Sequence, residues 1–217
     1  MKTLFYNTVT PLLKTILTDI MAEPQFNPFI LVGGTNISLR YGHRQSDDID
    51  LFTDSTYGTL DYSFFENFFK GKYPYFDCPD KSSIIGPGRT YYVGITKDNC
   101  VKIDLWYHDK FILPFEIIDG VRMAAIEDIV AMKVDVLSRK GRKKDFWDLH
   151  LLHERFTLSD MIKLHLQANE YTHEYDEVAA GFNNFKHADG EPNPRCNLKK
   201  DWDAIKLDFI DWVDDEL

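Results

Sequence analysis

The amino-acid sequence predicts an α+β, α/β-like fold: a small mixed β-sheet flanked by helices, followed by a C-terminal helical domain. Three observations predict it. Through the first 120 residues, short runs of strand character are interleaved with segments of helical spacing, as expected of layered helices and strands. Beyond Gly120 the strand signals cease and four segments of helical spacing follow. The chain of 217 residues, 44 % hydrophobic and 14 % aromatic, is long and apolar enough for one ample core, or for a catalytic domain with a modest second one. The change of character near Val121 divides it into domains at 1–121 and 122–217.

Residues 4–21 have helical spacing, and Pro24 and Pro28 then mark a turn before the apolar strand at residues 29–32. Gly33-Gly34 ends that strand. Residues 35–41 give one or two helical turns, and residues 48–53 alternate as a strand. Residues 60–70 read as helix. Residues 82–85, 90–96 and 101–106 are β-rich, with Gly86-Pro87-Gly88 and Lys97-Asp98-Asn99 as hairpin connections. In the second part, residues 126–138, 143–154, 158–169 and 202–213 are helical. Residues 181–197, rich in glycine, proline and asparagine, form a long loop.

Several function classes are excluded by composition. No run of 18 or so apolar residues could span a bilayer, and residues 1–19 lack an uninterrupted secretory core, so the expected location is cytoplasmic, without a membrane partner. Cys78, Cys100 and Cys196 are odd in number and widely spaced, against a disulfide framework or a cysteine-based zinc site. A formal net charge of −10 repels polyanions, so a nucleic acid needs a local basic patch. Arg139, Lys140, Arg142, Lys143 and Lys144 put five cations in six positions; they fit an RNA contact and a solvated interhelix turn equally well.

Chemistry concentrates in Asp48-Ile49-Asp50-Leu51. The period of two sends both carboxylates to one strand face, where like charges call for a cation, and hard oxygen donors suit Mg²⁺ bound together with phosphates. In the run Lys102-Ile103-Asp104-Leu105, Asp104 supplies a third carboxylate if its strand lies beside the first, and could help accept a proton. Three such groups can hold one or two ions, with Mn²⁺ as a substitute for Mg²⁺. Gly33-Gly34, between a strand and a helix, lets backbone amides approach phosphate oxygens, although a glycine pair is commonly just a tight turn. On the helix at 126–138, Lys133 falls in the apolar stripe of Ile126, Ile129, Val130 and Leu137, where it must snorkel or meet an anion. On the next helix, Asp145 and Asp148 border an apolar seam. They either orient Lys133 or a substrate, or simply favour the helix dipole.

Gly33-Gly34-Thr35, Arg44-x-Ser46-x-Asp48-Ile49-Asp50-Leu51, Ala131-Met132-Lys133 and Lys144-Asp145-Phe146-Trp147-Asp148-Leu149 together resemble the AbiEii/AbiGii-type nucleotidyltransferase toxins, over roughly residues 28–152. The glycine pair and acidic strand are shared with the wider DNA polymerase β-like nucleotidyltransferase superfamily. The resemblance implies a nucleotidyltransferase fold in which Gly33 and Gly34, with Thr35, Arg44 and Ser46 alongside, hold the triphosphate. It implies Mg²⁺ on Asp48 and Asp50, with Asp104 in the third-carboxylate position. Lys133 with Asp145 or Asp148, from the helical domain, would complete the nucleotide site. The implied reaction transfers a nucleoside monophosphate from an NTP, releasing pyrophosphate, to RNA such as a tRNA 3′ end, as the toxin of a toxin–antitoxin or phage-defence pair. A protein hydroxyl or an aminoglycoside-like small molecule are rival acceptors, and a non-catalytic nucleotide- or partner-binding protein is the rival class.

Overall fold

Partly exposed and buried residues alternate along β2 (Asp48–Thr53) and through much of β5 (Asn99–Tyr107), and these two strands pair in parallel at the centre of a seven-stranded mixed sheet. The structure, a computed structural model, describes residues 3–80, 86–169 and 173–217. The strand expected at residues 82–85 lies outside the described residues. Two compact units are formed: Met1–Arg40 with Ser46–Phe111 and Phe115–Ala124, and Tyr41–Gln45 with Ile112–Pro114 and Ala125–Leu217.

The first unit runs α1 (Pro11–Ala22), β1 (Ile30–Leu31), α2 (Gly33–Tyr41, of which Tyr41 falls to the second unit), β2, α3 (Tyr62–Lys72), β3 (Tyr75–Asp77), β4 (Gly88–Thr96), β5, β6 (Glu116–Ile118) and β7 (Val121–Met123). The strand order is β3-β4-β5-β2-β1-β7-β6. β4 and β5 form the antiparallel hairpin expected around Lys97-Asp98-Asn99, while β1 pairs antiparallel to β2 and parallel to β7. Ile49, Leu51, Ile103 and Leu105 are fully buried in one cluster with Leu13, Ile16, Leu17 and Ile20 of α1 and with Phe65 and Phe69 of α3. Phe26 anchors the aromatic part of this core, its ring 4.7 Å from that of Phe65. Burial of each such side chain stabilises the fold by about 1.5–3 kcal/mol before entropy is counted. The apolar face of β2 and β5 therefore fixes their polar face outward.

Several elements differ from expectation. The first helix starts at Pro11 and not at residue 4, because Thr10 caps it, accepting from the Leu13 amide at 3.1 Å, and Pro11 lacks the amide that a helix interior needs. Residues Tyr6–Thr8 make only a 3₁₀ turn. β3, β6 and β7 have three residues each, too few to display a period, and β7 places a strand in the stretch beyond Gly120 expected to be wholly helical. α2 takes in the glycine pair itself. Inside this unit, buried Asn36 donates to the carbonyls of Leu31 and Ala124, at 2.8 and 3.1 Å, and so ties α2 to β1 and to the end of β7.

The second unit is helical: α4 (Ile126–Lys140), α5 (Lys143–Leu152), α6 (Leu158–Ala168), α7 (Tyr175–Gly181) and α8 (Trp202–Glu216). α7 was not expected; at seven residues it is too short to show a helical period. α4 packs on α5, α6 and α7, and α8 packs on α5 and α6. The core joins Phe146, Trp147, Phe182, Ile205 and Phe209, with Trp147 and Trp202 stacked at 6.0 Å. All three cysteines are free thiols. Among the described residues no helix is long and apolar enough to cross a membrane.

Candidate active site

The pairing of β2 with β5 sets Asp50 opposite Asp104 and Asp48 opposite Lys102. Since Ile49, Leu51, Ile103 and Leu105 all turn to the core, these four polar side chains share the other face, and each is partly exposed. The neighbour relationship required of Asp104 is thus met. Its carboxylate accepts from the Thr90 hydroxyl at 2.6 Å and is ion-paired with Lys102. Burial opposes the Lys102 charge, but the hydrogen bond and charge of Asp104, then Asp50, then Asp48, outweigh it and hold its pKa above the usual lysine value. One ammonium therefore feels all three carboxylates. The oxygens do not close into a tight ligand group, however: among the described residues, the three-residue set whose ligand atoms lie within 4.8 Å of one another is Asp135, His165 and His173. As a donor set, three carboxylates on one face of adjacent strands match a hard divalent cation.

Gly33 sits beneath this face. Its φ of +68° belongs to the left-handed region, and a Cβ built there would stand 2.1 Å from Asp50 Oδ2. Glycine is required twice over, for its backbone and for the room it leaves Asp50. α2 begins at this residue, so the amides of Gly33, Gly34 and Thr35 belong to its first turn, where backbone donors have no intrahelical partner. Thr35 and Ser46, expected among the nucleotide-binding residues, are buried and joined to each other at 2.8 Å, and the Thr35 hydroxyl also donates to the Asp48 carbonyl. They pin the glycine turn to the start of β2.

Lys133 does not snorkel. It is buried in the second unit with its ammonium 2.6 Å from Asp145 and 2.7 Å from Asp148. Asp148, fully buried, also receives Arg44 through Nε and Nη2 at 2.7 and 2.8 Å, and lies 2.8 Å from His43 Nε2. Arg44, expected to meet a phosphate, thus presents its fork to a carboxylate of the protein. Burial raises the Asp148 pKa, but Arg44 and Lys133 outweigh it and hold the value well below the carboxylate range. Burial opposes the Lys133 charge, and Asp145 and Asp148 overcome it to raise its pKa. His43 is pushed down by burial more than Asp148 pulls it up, which leaves it neutral at pH 7. Asp145 has a double role: it accepts from the Arg142 amide at the start of α5 and from the Arg142 guanidinium at 2.8 Å, as a first-turn carboxylate should.

The basic run 139–144 is not one exposed patch. Lys143 is buried, its ammonium 2.6 Å from the Glu191 carbonyl, and so is structural. Arg142 is engaged by Asp145, and Arg139 pairs with Asp135 one turn back. Arg139 and Lys140 are the exposed members. The residues not anticipated were Lys102, Thr90 and His43. Lys102 could have been found, because the period that placed Asp104 places Lys102 on the same face.

The family described as nucleotidyl transferase AbiEii toxin, type IV toxin–antitoxin system, matches residues 15–215. A curated relative, an uncharacterized protein of Aquifex aeolicus (strain VF5), is 27% identical over 149 aligned residues, with 58% of this chain and 58% of that protein covered; the match thus spans less than two thirds of the relative's length. Among solved structures, JHP933 from Helicobacter pylori has a TM-score of 0.58 at 19% identity, covering 93% of this chain and 87% of that one. MenT4, a nucleotidyltransferase toxin from Mycobacterium tuberculosis H37Rv, has a TM-score of 0.56 at 14% identity, covering 94% and 83%. At such identities these structures establish the shared fold.

Proposed function

The chain belongs to the AbiEii nucleotidyl transferase toxin family, and from that premise we propose that it moves a nucleoside monophosphate from an NTP to an RNA acceptor, the 3′ end of a tRNA, with Asp48, Asp50 and Asp104 holding Mg²⁺. The observation that carries this reading is the acidic face: Asp50 beside Asp104 across a parallel strand pair, with Gly33 directly beneath the Asp50 carboxylate.

In the proposed reaction a bond forms between the acceptor hydroxyl oxygen and the α-phosphorus. The bond from the α-phosphorus to the bridging oxygen breaks, and pyrophosphate leaves. When bound, the divalent cation supplies charge neutralisation and polarises the α-phosphate. The first-turn amides of α2 offer donors to the triphosphate, favoured by the positive end of the helix dipole. Asp104, oriented by Thr90 and Lys102, accepts the proton of the attacking hydroxyl. Lys133 and Asp148 are assigned to nucleotide binding on the family resemblance, with Asp145 and Arg44 as positioning residues that fix them. The RNA acceptor and a cognate antitoxin rest on family membership, and the cytoplasmic location on the sequence expectation drawn from residues 1–19 and from the lack of a membrane-spanning apolar run. With a net charge of −10, RNA contact falls to the exposed Arg139 and Lys140 and to Lys144.

The test is incubation with Mg²⁺, each of the four α-labelled NTPs, and total RNA, with labelled RNA, protein and small molecules resolved separately. Label in RNA that vanishes in Asp48→Ala/Asp50→Ala is the expected result. Label in protein or in a small molecule would replace the acceptor, and no label in any fraction would overturn the transfer reading.

A further inference from the structure

A group of side chains of metal-ligating type lies within the helical unit, on residues the acidic strands do not include. Asp135 on α4, His165 on α6 and His173, two residues before α7, each bring one ligand atom within 4.8 Å of the others. His165 is fully buried, and its Nε2 stands 3.1 Å from His173 Nδ1. Its other ring nitrogen, Nδ1, lies 3.4 Å from the Ala131 carbonyl oxygen and 3.3 Å from the Asn169 side-chain nitrogen.

We propose that Asp135, His165 and His173 form a binding site for one divalent transition-metal ion of the Zn²⁺ class, a clip that joins α4, α6 and the entry to α7. Two imidazole nitrogens 3.1 Å apart form a hydrogen bond when one carries the proton. That spacing is also close to the roughly 3.3 Å separating two nitrogens on a tetrahedral ion with bonds of about 2.0–2.1 Å. Ligation through Nε2 places the His165 proton on Nδ1, with the Ala131 carbonyl at 3.4 Å to accept it, the usual outer support of a metal-bound imidazole; the Asn169 amide nitrogen, a donor at 3.3 Å, must then turn away from Nδ1. Two imidazoles and one carboxylate select a transition ion over Mg²⁺, which prefers oxygen alone. The fourth position of a tetrahedral ion is left for water. Asp135 is at present ion-paired with Arg139 on the same helix, and Arg139 is exposed, so that pair is weak and yields its carboxylate to a divalent ion. The site does not depend on nucleotidyl transfer.

The test uses the full chain carrying Asp48→Asn and Asp50→Asn, so that the acidic strands do not contribute. The chelator-stripped protein is titrated with Co²⁺, followed by its visible d–d absorption, and with Zn²⁺ by calorimetry. One equivalent of each ion, Zn²⁺ displacing Co²⁺, with a rise in melting temperature, is expected. His173→Ala should weaken binding by at least about 100-fold, since replacing even outer-shell partners costs 10–100-fold, while circular dichroism of the metal-free protein is unchanged. Arg139→Gln removes the competing cation and should tighten binding, which keeps the proposal open to refutation if His173→Ala folds poorly. No Co²⁺ absorption in the parent, or unchanged affinity in His173→Ala, would overturn it.

Discussion

Gly33→Ala is the substitution by which the acidic face can be questioned most directly. An alanine there must either hold a φ of +68°, costing about 1–2 kcal/mol for a left-handed L-residue, or shift the turn. Its Cβ would start 2.1 Å from Asp50 Oδ2, 3.0 Å from Cγ and 3.2 Å from Cβ of the same side chain. The carboxylate is the flexible end, so it gives way, retreating by about 1 Å from its place beside Asp104. Strain of this kind costs roughly 1–3 kcal/mol in all, which a domain of ordinary stability, about 5–15 kcal/mol, survives. Misplacing a reacting group by about 1 Å, by contrast, can cost on the order of 100-fold in rate. The expected variant is therefore folded, with a lowered urea midpoint but a single cooperative transition, and its label transfer from NTP falls by about 100-fold or more. Transfer within about twofold of the parent would refute the reasoning, because it would mean that the position of Asp50 over Gly33 is irrelevant to the chemistry.

Asp148→Asn leaves buried Lys133 and Arg44 short of one negative charge; breaking a buried pair costs about 3–5 kcal/mol, and an unchanged urea midpoint would contradict that. Lys102→Met removes the ammonium that competes for Asp104, so the Mg²⁺ concentration giving half-maximal transfer should fall; a rise would mean that Lys102 assists the cation instead. Stability should also depend on pH in a definite direction. His43 and His165 have folded pKa values pushed down by burial, so between the folded values and the unfolded one near 6.5 the unfolded chain binds more protons. Their contribution is complete above about pH 6.5 and is lost as pH falls toward the folded values. Asp148, also depressed, adds a further loss below about pH 4, the unfolded carboxylate value. Urea midpoints that stay level from neutral pH down to mildly acidic pH would rule out the histidine part, and His43→Gln should flatten that limb.

How much of this was legible in the sequence depended on whether the information was local. The alternation in Asp48–Thr53 placed Ile49 and Leu51 against Asp48 and Asp50 without any tertiary knowledge, and the strand appeared with the bounds it predicted. The helix around Lys133 was equally readable, because its apolar stripe repeats over three turns. Three-residue strands such as Tyr75–Asp77 and Val121–Met123 carry no period; they exist because a neighbour pairs with them, as Leu31 does with Met123. Thr10 and Pro11 mark the true start of the first helix through capping chemistry, which outweighs the helical spacing that extends back to residue 4.

The limit shows most clearly at Lys133. Spacing identified it as a cation in an apolar stripe and identified Asp145 and Asp148 as carboxylates beside an apolar seam, so the need for an anion and its local source were both readable. Spacing could not show that Asp148 would also be met by Arg44 and His43, more than 100 residues earlier in the chain. That convergence changes the energetics. A lone Lys133–Asp148 pair would be desolvated with about three of the roughly four carboxylate lone-pair sites unmatched, whereas the observed Asp148 receives the bidentate fork of Arg44 as well as the ammonium of Lys133. The Arg-x-Ser-x-Asp-x-Asp run thus joins two duties in one stretch of chain. Asp48 and Asp50 serve the acidic strand face, and Arg44 neutralises a buried carboxylate in the helical unit. A substitution at Arg44 should accordingly be read first for stability, and a loss of transfer there counts as evidence about phosphate binding only if the urea midpoint is unchanged.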